Sequence, residues 1–438
     1  MSTIDESLIK HVHDHYAEYT YDMFMMNMSA ELEEIELFSE YVDVLNEKKI
    51  YTFEAARSGT QTTETDLARA NGESVHVVNL SSYNYLGFSY HPDVIKAAQD
   101  AVAKYGLGAS SSPVISGTYL VHKQLENALV KFFGLPGRGV SLFTAGYSVN
   151  LGAISAFIKP GHHVIMDSAS HMSIVEGAKL SGGEMSFFRH NDMTHLEELL
   201  KKTCDDFTRV LVCVEGIYSG DGDYGNLKEV VRLAKQYGAF TLVDEAHSAL
   251  VAGENGRGVC EQQGVLEDID MYVMTFSKAF GGVGGAVYAK KEIVQYMNWY
   301  AKCRMFSCAL DPAVTGGMTK VIELASGPLG TERRKRLKSN ATYFRSLLEG
   351  KVVLSEGDAW VVIVHFGAES KTLELNDYLQ RSGLDTSIIQ FPAVPRNEAR
   401  IRMFITSEHT QEQLKKAADI IMKAAAKFDF LKNKINNQ

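Results

Sequence analysis

Cysteine is scarce: five in 438 residues, an odd number, with no CxxC pair among Cys204, Cys213, Cys260, Cys303 and Cys308. That argues against a disulfide scaffold and predicts reduced thiols in a cytoplasmic protein. Basic charge is not in excess either. Against 44 Lys and Arg stand 54 Asp and Glu, a formal net charge of -10, so no surplus of cations is available for a nucleic-acid partner. No apolar run approaches the roughly 20 residues that cross a bilayer, so no transmembrane segment is expected. The polar, acidic start Met1-Ser2-Thr3-Ile4-Asp5-Glu6 does not read as a secretory signal. Internal repeats and low-complexity tracts are missing as well. What remains has 45% hydrophobic and 22% charged residues, the composition of a globular chain long enough for a large domain plus a smaller one.

The pattern of apolar residues divides the chain. Residues 1–50 read as a helical extension, with Leu32, Ile35, Leu37, Phe38, Tyr41, Val42 and Leu45 at helical spacing. The methionines Met23, Met25, Met26 and Met28 in it would either pack on the body or a partner subunit, or shape an apolar surface for a lipid-like substrate. Alternate His11, His13 and His15 would share one face of a strand, but this helical context scatters them, and no metal site is expected. Residues 51–92 form a segment contributing to the small domain and the active site. Over 93–310, short apolar strands alternate with helices: 140–143, 163–166, 210–214, 241–243 and 271–274 are the strands. That alternation predicts an α/β fold with a mostly parallel sheet and functional residues at the strand ends. Residues 311–438 read as a smaller α+β domain that begins with one long charged helical region, 312–348. Its basic run Arg333-Arg334-Lys335-Arg336 is expected to be a solvated helix face, with a phosphate or carrier-protein contact as the alternative.

The chemistry concentrates at two strand ends. Phe240-Thr241-Leu242-Val243 runs into Asp244-Glu245-Ala246-His247, and the next strand runs into Thr275-Phe276-Ser277-Lys278 and a glycine-rich stretch. An acid at one strand end and a lysine flanked by hydroxyls at the next is what pyridoxal phosphate (PLP) requires. The lysine forms the Schiff base, the acid keeps the pyridine nitrogen protonated, and the hydroxyls bond the phosphate. Thr144-Ala145-Gly146-Tyr147 follows another strand and opens a helix, whose free N–H groups suit an anion. His171, after a further strand, is placed to stack a flat ring on a cofactor.

These residues stand in a longer ordered series. It includes Asn79-Leu80-Ser81-Ser82-Tyr83-Asn84-Tyr85-Leu86-Gly87, Ser170-His171, His190-Asn191-Asp192, Glu215 to Asp223, Asp244 to His247, Thr275 to Lys278, and Ala399 to Arg402 with His409-Thr410. From about Leu80 to Ala424 the chain resembles the α-oxoamine synthases, PLP enzymes of fold type I, the aspartate-aminotransferase-like fold. The resemblance implies that Lys278 carries PLP, Asp244 pairs with its ring nitrogen, His247 bonds its phenolic oxygen and His171 stacks on its ring. It also implies that Gly146, Tyr147, Thr275 and Ser277 contact the phosphate, that Arg402 holds the amino-acid carboxylate, and that Tyr83 and Asn84 lie at the substrate. A homodimer is implied too, with the segment around Ser307 completing the partner's site.

The activity implied is condensation of a small L-amino acid with an acyl-CoA or acyl-carrier-protein thioester, with loss of carbon dioxide, to an α-amino ketone. Tyr83-Asn84 resembles the serine palmitoyltransferases, the first reading. Phe391-Pro392-Ala393-Val394-Pro395 and Ala399 to Arg402 resemble the alanine- and glycine-using branches, 8-amino-7-oxononanoate synthase and glycine C-acetyltransferase. Gly220 stands where relatives often carry methionine. More distant readings are a fold-type-I aminotransferase, a catalytically silent partner subunit, which would lack the lysine, and a thioester-binding module, which would leave the Asp244, His247 and Lys278 set without a purpose.

Overall fold

The computed structural model describes residues 6–16, 19, 32–69, 72–205, 208–391 and 393–432; Met23, Met25, Met26, Met28 and Pro392 lie outside them. The strands run in order β1 (Ala56–Arg57), β2 (Glu64–Ala68), β3 (Ser74–Asn79), β4 (Arg138–Phe143), β5 (His163–Asp167), β6 (Glu184–Phe188), β7 (Val210–Glu215), β8 (Phe240–Asp244), β9 (Met271–Thr275) and β10 (Gly285–Lys290). The C-terminal part adds β11 (Val353–Leu354), β12 (Val361–Gly367), β13 (Leu384–Asp385), β14 (Ser387–Ile389) and β15 (Ala399–Phe404).

The central sheet has the order β4-β10-β9-β8-β7-β5-β6. The pairs β5–β6, β5–β7, β7–β8 and β8–β9 are parallel, and β10 runs antiparallel to both β9 and β4. The expected α/β fold with a mostly parallel sheet is the one observed. Its strands are apolar on both sides because helices cover both faces. Successive residues alternate between two cores: Leu211 and Cys213 pack on one face of the sheet, Val212 and Val214 on the other. Each such buried aliphatic side chain contributes about 1.5–3 kcal/mol by leaving water. The parallel strands and β4 all end at one edge, which brings Phe143, Asp167, Glu215, Asp244 and Thr275 to the same side of the molecule.

Two smaller sheets flank this one. β1, β2 and β3 are antiparallel and β13 joins β3 in parallel, so the N-terminal segment is sewn to the C-terminal part. The sheet β11-β12-β15-β14 carries Arg400 and Arg402 on β15. In the N-terminal region, helices Glu6–His15 and Leu32–Glu47 pack through Val12, Tyr41, Val44 and Leu45, and His13 Nε2 bonds Glu40 at 2.9 Å. No cluster that could hold a metal ion is found among the described residues, and none of their helices is long and apolar enough to cross a membrane.

Three expectations change. The region 312–348 is two helices, Pro312–Ser326 and Pro328–Leu348, because Pro328 has no N–H to continue the first and suits the opening turn of the second. The basic run is not a solvated face. Arg333 and Arg334 are buried, Arg333 donating to the Leu86 carbonyl at 2.5 Å and Arg334 to the Ala325 carbonyl at 2.9 Å, while Lys335 and Arg336 stay exposed. Helical spacing put two of the four on the inner face, and only the tertiary packing supplies the carbonyls they reach. The strands β6 and β10 were not expected from sequence, since β6 is half exposed at the sheet edge and β10 follows glycines that break its pattern.

Candidate active site

A cavity of about 260 Å³ opens at the C-terminal edge of the central sheet. Asp244 ends β8 and Thr275 ends β9, with Lys278 three residues further on. Gly146 opens the helix Gly146–Phe157, and Ala145 before it offers no side-chain acceptor, so the first N–H groups face the cavity without a cap. A Cβ on Gly146 would lie 2.4 Å from Thr275 Oγ1, so glycine is what lets the helix start approach that hydroxyl. Thr275 Oγ1 and Ser277 Oγ are 2.7 Å apart. A helix N-terminus and two hydroxyls thus converge on one end of the cavity, as an anion requires.

At the other end lies an acid held by fixed donors. Asp244 Oδ2 accepts from Asn150 Nδ2 at 2.7 Å, and Oδ1 accepts from the Ala246 N–H at 2.9 Å. Asn150 Nδ2 also reaches Ser173 Oγ at 2.9 Å, which in turn lies 2.7 Å from His171 Nδ1. The Ser173 N–H donates to the same Nδ1, so neutral His171 carries its proton on Nε2. Partial desolvation, with the Lys278 and Arg402 charges and against Asp244, holds the His171 pKa below its ordinary value. His247 is buried, its Nδ1 2.7 Å from the Tyr85 hydroxyl; burial and the same two cations push its pKa well down, so it is neutral. Burial lowers the Lys278 pKa to about 8, opposed by Asp244 and Glu215 and aided by Arg402. Glu215, which accepts the His171 N–H at 2.6 Å, is pushed well above the carboxylate range by burial and by Asp244.

Of the residues singled out from sequence, Gly146, Tyr147, His171, Asp244, His247, Thr275, Ser277 and Lys278 meet on this cavity. Tyr83 stands beside it, its ring 5.7 Å from Lys278 Nζ and edge-on to His247. Asn84 is instead pinned in a turn by Ser89, its Nδ2 2.7 Å from the Ser89 hydroxyl. Ser307 is not among the residues lining the cavity; it follows Phe306, which is 79% exposed. Arg402 is near enough for its charge to act on Lys278, yet its Nε is buried without a partner and its fork reaches only the Ser219 carbonyl and the Ser387 hydroxyl, at 3.4 and 3.1 Å. The carboxylates Asp221 and Glu398 go to Arg400 instead. Asn150, Ser173, Tyr85 and Glu215 had no role assigned from sequence, because nothing in their spacing links them to Asp244 or His247.

Behind the cavity, His190 clamps two loops. Its ring nitrogens lie 2.9 Å from Asp167 and 3.0 Å from Asp223, and Asp167 also accepts the Ala169 N–H in the loop that carries His171. Burial by itself would lower the His190 pKa, but the two carboxylates outweigh it and raise it to about 10. A raised folded-state pKa means stabilisation that is complete below the unfolded value near 6.5 and is lost as pH climbs through about 10. His190→Gln should therefore cost about 2 kcal/mol at pH 6, the scale of hydrogen bonds to charged groups. The melting curves of variant and wild type should converge between pH 7 and 10; a gap that stays constant with pH would refute the clamp.

The donors fit PLP. An uncapped helix start beside two hydroxyls suits its phosphate, the Asp244 carboxylate suits a protonated ring nitrogen, and a lysine of lowered pKa suits its aldehyde. A mostly parallel sheet bearing this set at its strand ends defines a class, the fold-type-I PLP enzymes. The aminotransferase class I and II family matches residues 75–421. An 8-amino-7-oxononanoate synthase of Alkaliphilus metalliredigens is 35% identical over 400 residues, 91% of this chain and 99% of that protein. A serine palmitoyltransferase of Bacteriovorax stolpii is 32% identical over 391 residues, 89% of this chain and 91% of that protein. Among solved structures, a serine palmitoyltransferase from S. paucimobilis with bound PLP–myriocin aldimine superposes with a TM-score of 0.84 at 32% identity, covering 90% of this chain and 98% of that one. The chain belongs to the aminotransferase class I and II family, in its α-oxoamine synthase branch of PLP-dependent acyltransferases.

Proposed function

We propose that this enzyme condenses a small L-amino acid, serine first, with a long-chain acyl thioester, releasing carbon dioxide and an α-amino ketone. The observation that carries the reading is Arg402: a half-buried guanidinium beside Lys278 with no carboxylate partner among the described residues. A buried charge left unpaired is expensive, and a bidentate fork fits an incoming carboxylate. Bound PLP supplies an electron sink for the carbon that loses its proton and its carboxylate. Lys278 would bind the cofactor and move the α-proton, and Asp244 would keep the ring nitrogen protonated. His171, with its proton on Nε2, would stack on the ring and donate toward the thioester carbonyl. His247, neutral and oriented by Tyr85, would bond the phenolic oxygen.

We further propose a homodimer. Leu107, Ile115 and Phe306 are 82, 80 and 79% exposed, and Ser112 Oγ bonds the Met305 carbonyl at 2.6 Å, so they sit on joined loops. An apolar patch of that kind marks an interface, and it would carry Ser307 to the partner's cavity. The division into residues 1–50, 51–92, 93–310 and 311–438 is part of the same proposal.

Alanine with an acyl-CoA or acyl-carrier protein is the second reading, favoured by the 35% identity to the Alkaliphilus enzyme. The test is the holoenzyme incubated with serine, alanine or glycine and acyl-CoA thioesters of several lengths, following carbon dioxide and free thiol. Release of both with serine and a long chain is the expected result. Preference for alanine moves the assignment to the second reading, and a keto acid without carbon dioxide overturns both. In the same assay Arg402→Ala should weaken amino-acid affinity about 10²-fold with the melting curve unchanged. Lysine there should rescue only in part, for want of the fork. Unchanged affinity, or a collapse of the fold, would make Arg402 structural.

A further inference from the structure

A second cavity, of about 430 Å³, lies between the helices Leu120–Phe133 and Pro312–Ser326, the start of Pro328–Leu348 and the loop that follows β8. It shares no lining residue with the active-site cavity. Its size falls within the roughly 300–1,000 Å³ of small-molecule sites. Three cations line it: Lys131 exposed at its mouth, and the guanidinium groups of Arg257 and Arg334.

These arginines lack the partners that buried cations ordinarily have. Arg334 is only 9% exposed, and of its five N–H donors one bonds the Ala325 carbonyl at 2.9 Å and one the Thr331 hydroxyl at 3.1 Å. Arg257 makes no side-chain hydrogen bond to protein among the described residues, and its Nε is buried without an acceptor. Neither is in an ion pair there. The nearby carboxylates form no ion pair with either arginine, although the Glu261 charge is near enough to act on Arg334. Glu261 accepts from Asn255 Nδ2 at 2.7 Å and from the N–H groups of Asn255 and Arg257 at 3.1 and 3.0 Å, and Glu323, on the lining, is paired with Lys320 at 2.6 Å.

The backbone is shaped to bring the two guanidinium groups together. Leu250 N–H donates to the Gly256 carbonyl at 2.7 Å and Ala249 bridges Arg257, closing a tight loop at the end of the segment that begins with Asp244 and His247. Gly256 has φ of 79°, and a Cβ on it would meet Arg334 Nη1 at 3.0 Å and the Leu250 carbonyl at 2.6 Å. Glycine there lets Arg334 lie against the loop whose next residue is Arg257. Hydroxyls of Thr319 and Ser326 donate to backbone carbonyls one turn back, so the free donors of the pocket are the cations themselves.

We propose that this pocket is a binding site for a phosphate-bearing small molecule, its phosphate held between the Arg257 and Arg334 forks with Lys131 at the entrance. Two planar forks with unused donors match the oxygens of a phosphate, and the remaining volume admits the body of a small metabolite.

The test uses the holoenzyme, so that the cofactor's own phosphate fills the cradle at Gly146. Inorganic phosphate is titrated against the melting temperature at constant ionic strength set with chloride, with succinate as a parallel arm. Wild type should show a saturable rise of about 1–3 °C with phosphate. Arg257→Gln should abolish the response, and Lys131→Gln, at an exposed position that leaves folding alone, should weaken it several-fold. The cofactor spectrum should be the same throughout. No response in wild type, or an undiminished response in both variants, overturns the site. A succinate response equal to or larger than that of phosphate overturns the choice of phosphate. Should Arg257→Gln fail to fold, Lys131→Gln decides alone: an unchanged phosphate response in it counts against the proposal.

Discussion

Replacing Lys278 with alanine should cost at least about 10⁴-fold in turnover, because one amine serves as covalent anchor and as proton carrier. The purified variant should lose the yellow colour of the wild type, and borohydride should no longer fix the cofactor to the chain. The melting temperature should change little, since the Lys278 side chain makes no hydrogen bond among the described residues and its Nζ stands 5.7 Å from the centre of the Tyr83 ring. The lowered pKa of Lys278, about 8, adds a pH signature. In the apoenzyme roughly a tenth of the amine is neutral at pH 7, rising to half near pH 8. Capture of PLP by wild-type apoenzyme should therefore speed up as pH rises through 8 and then level off. A variant that keeps near-normal turnover would remove Lys278 from the chemistry altogether.

The second large effect is expected at Asp244. Asn150 Nδ2 and the Ala246 N–H already donate to its two oxygens. Asparagine in its place loses the negative charge and must also turn an NH2 group toward one of those donors, so both the charge and the geometry suffer. Exchange of the substrate α-proton should fall about 10²–10³-fold, the scale for removing one pre-positioned stabilising group. PLP should still bind through Lys278 and the phosphate cradle. Asn150→Ala offers a gentler version: it leaves the charge and removes one donor, and it also breaks the string that runs through Ser173 to His171. A smaller loss than in Asp244→Asn is expected, measured by the same exchange. Near-normal exchange in Asp244→Asn would refute the role given to this acid.

These two residues are legible in the amino-acid sequence itself. Each ends or follows a short apolar strand, and their chemistry depends on chain neighbours: Thr275 and Ser277 beside Lys278, and His247 three residues after Asp244. The same holds for Gly146 at the opening of a helix. Periodicity also predicted the parallel sheet, because strands covered on both faces are apolar throughout and are separated by helices. Glu215 and Tyr85 are visible as members of ordered motifs, but their duties are not.

Contacts far apart in sequence belonged to the tertiary structure. Asn150 reaches Asp244 across 94 positions and Tyr85 reaches His247 across 162, because sheet order, not chain order, decides which strand ends are neighbours. The two arginines on β15 illustrate the same point. The resemblance assigns Arg402 to a substrate carboxylate; the fold gives Asp221 and Glu398 to Arg400 and leaves Arg402 without a carboxylate among the described residues. Arg334 looked like surface charge within a basic run, yet helix packing buries it beside Arg257, 77 positions away. A local pattern states what a residue is able to do, since that depends on its own chemistry and its immediate neighbours. Whether its charge finds a partner depends on which distant groups the packed core brings within a few ångströms, and that is a property of the folded chain.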